Sequence, residues 1–258
     1  MEVVCFGSGS KGNAFLVRSR RAAVLVDAGF GPRALRDSLL RCGIGDHELA
    51  AILVTHEHSD HVRGLVGFLR RQSCPVLATS GTLQALRLEG VRQLPLHPGR
   101  WVEIGDLAFQ PVPVAHDAAE PIGLTIASAS ARAALFTDLG SVSDAVRAEL
   151  REAHLVILEA NHDRDLLENG PYPSWLKRRI ASPYGHLSND DAAEAARSCG
   201  PQLRALWLAH LSEENNRPQL ARSCVARELG LHRDVRLLTL PQRGFCSWPA
   251  DEPRSPQG

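Results

Sequence analysis

Lysine is almost missing from this chain. Of 29 basic side chains only Lys11 and Lys177 are lysines, so any phosphate contact falls to arginine, whose planar fork can grip two oxygens at once. An excess of either charge is missing too. The 29 acidic groups offset the 29 basic ones, which leaves no global field to draw in a nucleic acid or a membrane surface. A polyanion would have to be held by a local site. No apolar run reaches the roughly 18 residues of a spanning helix, and the start, "MEVVCFGSGSKGN", lacks the basic-then-apolar order of a signal segment. Neither export nor membrane insertion is expected. The six cysteines form no C-x-x-C pair, and several sit among apolar neighbours as small buried hydrophobes do. That usage fits a reducing cytoplasm.

What is present is ample apolar material, 44% of 258 residues, enough for one α/β domain with a sizeable core. We assign residues 1–248 to that domain and read 249–258, "PADEPRSPQG", as a disordered tail. Strands are predicted at 3–6, 13–19 and 22–29, followed by a helix over 31–44 and a buried strand in "AAILVTH". A helix from near Asp60 carries "HVRGLVGFLRRQ"; then come the strand "PVLAT" and a helix from Thr79 or Ser80. The middle, "RWVEIGDLAFQPVPVAH", "IGLTIAS" and "RAALFTDLG", is rich in strands. From 141 onward helices and strands alternate, with "NGPYPSWL" read as an extended loop. Two sheets face to face, with helices outside, would cover all these apolar faces.

"GSGSKGN" matches G-x-G-x-x-G through Gly7, Gly9 and Gly12, with Asp27 at a suitable distance for a ribose contact. The pattern holds a dinucleotide only if its third glycine opens a helix. Here Gly12 leads into a strand, so the segment reads as a glycine-rich hairpin loop at the rim of a site.

The chemistry is concentrated in "THEHSDH". His56, His58, Asp60 and His61 form H-x-H-x-D-H at the end of an apolar run. In an extended segment alternate side chains face one way, so His56 and His58 can share one ion while a turn lets Asp60 and His61 face another. Further donors are expected where other apolar strands end. His116 closes "FQPVPVAH", His210 closes "ALWLAH", and Asp138 is the carboxylate that closes "ALFTD". His47, His97, His154 and His232 lie in turn or helix-end contexts without a ligand pattern.

This order of ligand types resembles the metallo-β-lactamase superfamily. The resemblance implies an αββα four-layer sandwich with two divalent ions, zinc or manganese with iron also possible. It places His56, His58 and His116 on one ion, Asp60, His61 and His210 on the other, and Asp138 between them. "GSGSKGN", "VAHDAAEPIGL", "EANHD", "GHLSNDDAA" and "LAHLSEENN" are similar to the YycJ (WalJ) branch, related to ribonuclease J and the phosphodiesterase PhnP. What that implies is a hydrolase of phosphodiester bonds, a 5′-to-3′ DNA exonuclease in which a metal-bridging hydroxide attacks phosphorus in line.

The remaining residues of the expected site follow from their contexts. Asp60 has a second, catalytic part in orienting that hydroxide or taking its proton, and His186 is the candidate to donate to phosphate or to the leaving oxygen. Asp27 is placed to fix a ligand histidine's tautomer. Glu159 and Asn161 organise the loop beneath the metals, with His162 beside them. Ser188 or Asn189 caps a helix whose N-terminus would welcome phosphate, and Arg243 is a further substrate contact. Trp175 or Tyr172 could stack on a base. Two other enzyme readings compete: a thioester hydrolase of the glyoxalase II kind, which uses the same seven ligand types, and a phosphodiesterase for small cyclic substrates. From a different class comes a partner-binding protein that has lost catalysis, against which the complete ligand set argues.

Overall fold

"EVVCFG" and "AFLVR" are too close together for an intervening helix, and they pair antiparallel as β1 (Glu2–Gly7) and β2 (Ala14–Arg18). The structure, a computed structural model, describes residues 1–229 and 235–249. After β2 come β3 (Ala23–Val26), α1 (Pro32–Arg41), β4 (Ala51–Leu53), α2 (Ser59–Val62), α3 (Leu65–Leu69), β5 (Val76–Thr79), α4 (Ser80–Leu86) and β6 (Gln93–Leu96). A second series comprises β7 (Val102–Ile104), β8 (Leu107–Pro113), β9 (Ile122–Ala127), β10 (Arg132–Phe136), α5 (Asp144–Glu152) and β11 (Leu155–Glu159). It continues through α6 (Arg164–Asn169), α7 (Ser174–Ile180), α8 (Asn189–Ala196), β12 (Ala205–Ala209), α9 (Pro218–Glu228) and β13 (Arg236–Thr239); β14 (Cys246–Pro249) then returns to β1.

Among the described residues the strands form two seven-stranded sheets, ordered β14-β1-β2-β3-β4-β5-β6 and β13-β12-β11-β10-β9-β8-β7. Apolar side chains fill three layers. Phe15, Val24 and Leu53 meet Phe109, Leu135 and Trp207 between the sheets. Leu16 and Leu25 pack outward with Leu35 and Phe68 of the helices, while Phe136 and Leu158 do so with Val146, Ala192 and Val225. Strands buried on both faces read as unbroken apolar runs, which is why the four-layer αββα sandwich was legible in advance. Among the described residues no helix is long and apolar enough to cross a membrane.

Three expectations change. The helix expected from Asp60 is two short helices, because at Gly64 the chain passes so close to Phe30 that a Cβ would lie 1.8 Å from the Phe30 carbonyl oxygen. The region of the extended loop "NGPYPSWL" is flanked by α6 and runs into α7, so Trp175, Lys177, Arg178 and Arg179 lie on a helix. Finally, β14 ends at Pro249, one residue past the expected domain boundary; the rest of the expected tail, 250–258, and His232 lie outside the described residues.

All six cysteines are free. Burial pushes the Cys199 thiol up to about 12 and raises fully buried Cys5 further still. Iodoacetamide at pH 8 is therefore expected to leave both unlabelled in the folded protein and to label them once urea unfolds it. Peptide mass mapping reads the outcome; rapid native labelling of Cys5 would show that β1 opens far more readily than its pairing implies.

Candidate metal centre

The strands deliver the chemistry because several run parallel and end on one side. β3 and β4 are parallel in the first sheet, as are β10, β11 and β12 in the second. Asp27 follows β3, His56 follows β4, Asp138 follows β10, Glu159 ends β11 and His210 follows β12. Their C-terminal ends open the crevice where α/β sheets place ligands. Three of these turns are strained. Asp27 (φ 60°), Asp138 (φ 57°) and His210 (φ 54°) adopt left-handed backbone without being glycine, at a cost of order 1–3 kcal/mol each, and such strain gathers at functional sites.

The predicted ligands meet in two adjoining groups. Donor atoms of His56, His58 and His116 lie within 4.8 Å of one another, and so do those of Asp60, His61, Asp138 and His210. A third group overlaps the second through Asp138 and His210 and adds Glu159 and His186. In the first, the His116 Nδ1 faces the Gly185 carbonyl at 3.0 Å, a contact that needs the proton on Nδ1 and leaves Nε2 as an acceptor. That Nε2 lies 3.2 Å from His58 Nδ1, and the buried His56 Nε2 has no hydrogen-bond partner among the described residues. Burial, reinforced by neighbouring histidines, holds His56 and His116 below the usual imidazole range, so both stand neutral with lone pairs available.

The second group shows the same geometry with more charge. Asp27 accepts from His61 Nδ1 at 2.8 Å and Glu159 accepts from His210 Nδ1 at 2.9 Å. With those protons fixed, each histidine turns Nε2 toward carboxylates. His61 Nε2 lies 3.0 Å from Asp138 Oδ2, and His210 Nε2 lies 3.3 Å from Asp60 Oδ2. Asp138 Oδ2 is nevertheless buried with no aligned hydrogen bond among the described residues. Lone pairs aimed at one another in a dry site are stable only around positive charge. Burial alone would depress His61 and His210, but Asp138 together with Asp27 or Glu159 outweighs it and holds both well above the usual range. Burial likewise works to raise Asp138, and the two histidines overcome it. A cation would take the place of those extra protons, so this donor set fits metal ions.

Around the donors the accessory residues fall where local hydrogen bonding puts them. Glu159, fully buried, accepts from His186 Nδ1 at 2.8 Å and from the backbone N–H of Leu139 at 2.9 Å. Burial works against its ionisation, yet His186 and His210 bring it down to about 2. Asn161 Nδ2 donates to the His210 carbonyl at 2.9 Å. His162 is buried behind them, bridged to Ser188. Arg243 is exposed, with its guanidinium 6.0 Å over the Phe30 ring, and it touches none of the donor groups.

Ser188 and Asn189 do not take the substrate-facing place expected of them. Ser188 closes a capping box with Asp191 at the start of α8, and Asn189 exchanges amide hydrogen bonds with Asn216 at 3.0 and 2.8 Å. Both are buried and their side chains are engaged in these bonds, so neither side chain is free for phosphate.

Four contributors escaped the sequence reading. Asn13 reaches from the glycine-rich loop to Asp60 Oδ2 (3.4 Å) and His61 Nε2 (3.1 Å). Ser8 in the same loop accepts the His210 backbone N–H at 3.0 Å. Thr55 Oγ1 donates to Asp27 Oδ2 at 2.9 Å, and Asn216 Nδ2 donates to the Ala160 carbonyl at 2.9 Å. The available signals were a polar residue directly before His56 and the paired asparagines in "SEENN".

Comparison with known proteins agrees with this geometry. Residues 22–210 match the Beta-lactamase superfamily domain. The chain is 36% identical over 228 residues to Exodeoxyribonuclease YycJ of Bacillus anthracis, covering 86% of each. It is 34% identical over 230 residues to Exodeoxyribonuclease WalJ of Streptococcus pneumoniae, again covering 86% of each. Among solved structures, the metallo-beta-lactamase fold protein YhfI of Bacillus subtilis superposes with a TM-score of 0.73 at 17% identity, covering 96% of this chain and 99% of that one, a likeness of fold. With the sandwich, the strand-end donors and these matches together, the chain belongs to the metallo-β-lactamase superfamily.

Proposed function

We propose that this chain is a metal-dependent phosphodiesterase that degrades DNA from the 5′ end. The observation that carries the metal dependence is the convergence of two donor groups in which His56 Nε2 and Asp138 Oδ2 are buried without a hydrogen bond among the described residues. DNA as substrate is supported by the two exodeoxyribonuclease relatives. His56, His58 and His116 would hold one ion, Asp60, His61 and His210 a second, with Asp138 available to both. Two divalent ions bound there, zinc, manganese or iron, would supply a nucleophilic oxygen at neutral pH and would neutralise charge on the phosphoryl oxygens.

The chain's own residues manage the protons and the orientation. Asp60, less deeply buried than Asp138, orients the attacking water and takes its proton. Asp27 and Glu159 fix the tautomers of His61 and His210, the part that carboxylates play behind metal-bound imidazoles. His186, its Nδ1 held by Glu159, gives a proton to the leaving oxygen as the phosphorus–oxygen bond breaks.

Stripping the protein with a chelator is expected to abolish cleavage of end-labelled DNA and of bis-p-nitrophenyl phosphate, and manganese or zinc to restore both. RNA and S-lactoylglutathione complete the panel. Thioester cleavage without phosphodiester cleavage would overturn the reading in favour of a glyoxalase II-like hydrolase.

A further inference from the structure

Lys177 and Arg179 are two residues apart on α7, and on a helix that spacing sends their side chains to different neighbours. Lys177 donates to the Glu168 carbonyl of α6 at 2.7 Å. Arg179 turns instead to Asp117, whose Oδ2 accepts from its Nε at 2.6 Å. The other oxygen of that carboxylate, Oδ1, lies 3.5 Å from His116 Nε2, the atom that faces the first donor group. One carboxylate therefore separates this guanidinium from the candidate metal centre. Of the ion-paired arginines among the described residues, Arg179 alone has a carboxylate partner that lies against a ligand-type histidine.

The backbone that carries Arg179 is tied to the same histidine. Gly185 accepts from His116 Nδ1 at 3.0 Å, and the His186 N–H donates to the Ile180 carbonyl at 2.9 Å. Gly185 folds so closely onto the end of α7 that a Cβ there would lie 2.2 Å from the Arg179 carbonyl oxygen. An unpaired arginine would give up its rotamer freedom on binding a ligand, whereas this one has already surrendered part of it to Asp117. Its outer edge remains available. The side chain is half exposed, and neither Nη1 nor Nη2 makes a hydrogen bond among the described residues. Those two groups carry four N–H donors, a fork that matches two oxygens of one phosphate. The hydrogen bond to Asp117 raises the guanidinium above its ordinary range against the pull of burial, and Asp60 adds to the rise. The cation is therefore felt at the second donor group as well.

We propose that Arg179 is a further catalytic residue, gripping the non-bridging oxygens of the phosphoryl group under attack through Nη1 and Nη2 while Asp117 holds its Nε. The assignment rests on the phosphodiesterase reading of the adjoining centre. No bond to Arg179 forms or breaks, and no proton leaves it. It supplies charge and direction where negative charge gathers on those oxygens in the transition state. Lysine could not do the same, because an ammonium is a single point charge and lacks the planar fork that binds Asp117 on one edge and phosphate on another.

Arg179→Ala, loaded with manganese or zinc, should hydrolyse both bis-p-nitrophenyl phosphate and end-labelled DNA at least about 10²-fold more slowly than the unaltered protein, the usual loss on removing one donor aimed at developing charge. Bis-p-nitrophenyl phosphate has one phosphate, so a fall in both substrates assigns the contact to the group that reacts. Arg179→Lys should recover less than about a tenth of the lost rate. Added guanidinium chloride should rescue Arg179→Ala and leave the unaltered protein unimproved, a response that a purely structural part would not produce. A readout without turnover is the affinity of the zinc-loaded protein for inorganic phosphate, which Arg179→Ala should weaken at least about fivefold in calorimetry at unchanged zinc content. Equal rates or equal phosphate affinity, a loss confined to DNA, full recovery with lysine, or loss of zinc along with activity would each overturn the proposal. An unaltered protein that cuts neither substrate with any metal would instead sink the phosphodiesterase reading itself, and the clamp with it.

Discussion

Asp138→Ala is expected to lower the rate of DNA cleavage by at least about 10³-fold, the upper range for losing one group that stabilises charge in a dry site. Metal content should fall with it. Asp138 sits 3.0 Å from His61 Nε2 and 3.5 Å from His210 Nε2 and is buried, so its loss takes a carboxylate from between two ligand-type histidines. Elemental analysis of the purified variant, beside end-labelled DNA hydrolysis, measures both effects. A variant with full metal content and full activity would remove Asp138 from the centre. Full metal content with lost activity would narrow its part to the reaction itself.

The second large effect comes from a residue with no side chain. A Cβ at Gly29 would lie 1.7 Å from the Asp60 carbonyl oxygen and 2.5 Å from the Asn13 amide nitrogen. Both obstacles are backbone, and both belong to the centre's own scaffold. Asn13 N–H donates to the Asp60 carbonyl at 2.8 Å, Gly29 N–H to the Asn13 carbonyl at 3.0 Å, and Ala28 N–H to the His61 carbonyl at 2.7 Å. Gly29→Ala must therefore push the Asp60–His61 turn away from β3. We expect a loss of about 3 kcal/mol in urea unfolding, together with metal affinity weakened at least about tenfold. Gly31→Ala, where a Cβ meets nothing within 4 Å, is the control and should cost less than about 1 kcal/mol. Equal behaviour of the two variants would refute the coupling between this turn and the ligands.

The contrast between ligands and periphery explains what could be read from sequence. His56, His116, Asp138 and His210 announced themselves because each closes an apolar strand run, directly or one threonine on, where a ligand-type side chain has no reason in packing. Edge strands carry no such signal. β6, "QLPL", and β14, "CSWP", contain proline or polar residues and look like loops until a neighbour pairs with them. α7 was hidden by Gly170, Pro171 and Pro173, although Pro173 stands at its N-cap, where proline is well tolerated. The break at Gly64 depends on the Phe30 carbonyl and the importance of Asn13 on Asp60, 47 residues away. Contacts of that kind have no local signature. The G-x-G-x-x-G string leads into β2 and opens no helix, in keeping with a rim loop, and Asn13, the residue just after it, is the one that reaches Asp60 and His61.

The left-handed turns at Asp138 and His210 also indicate how such a centre would erode. At ordinary helix or strand positions alanine is the safer replacement for a lost side chain, since glycine there sacrifices about 0.5–1 kcal/mol. At φ 57° that order inverts. Asp138→Gly should melt higher than Asp138→Ala by roughly 1 kcal/mol of stability, because a Cβ in that backbone conformation costs about 1–2 kcal/mol; thermal unfolding of the two metal-free variants compares them directly. A lineage released from the need to cut phosphodiesters would then drift toward glycine at these positions, and a glycine where Asp138 or His210 stands would mark a descendant that has kept the fold and abandoned the reaction.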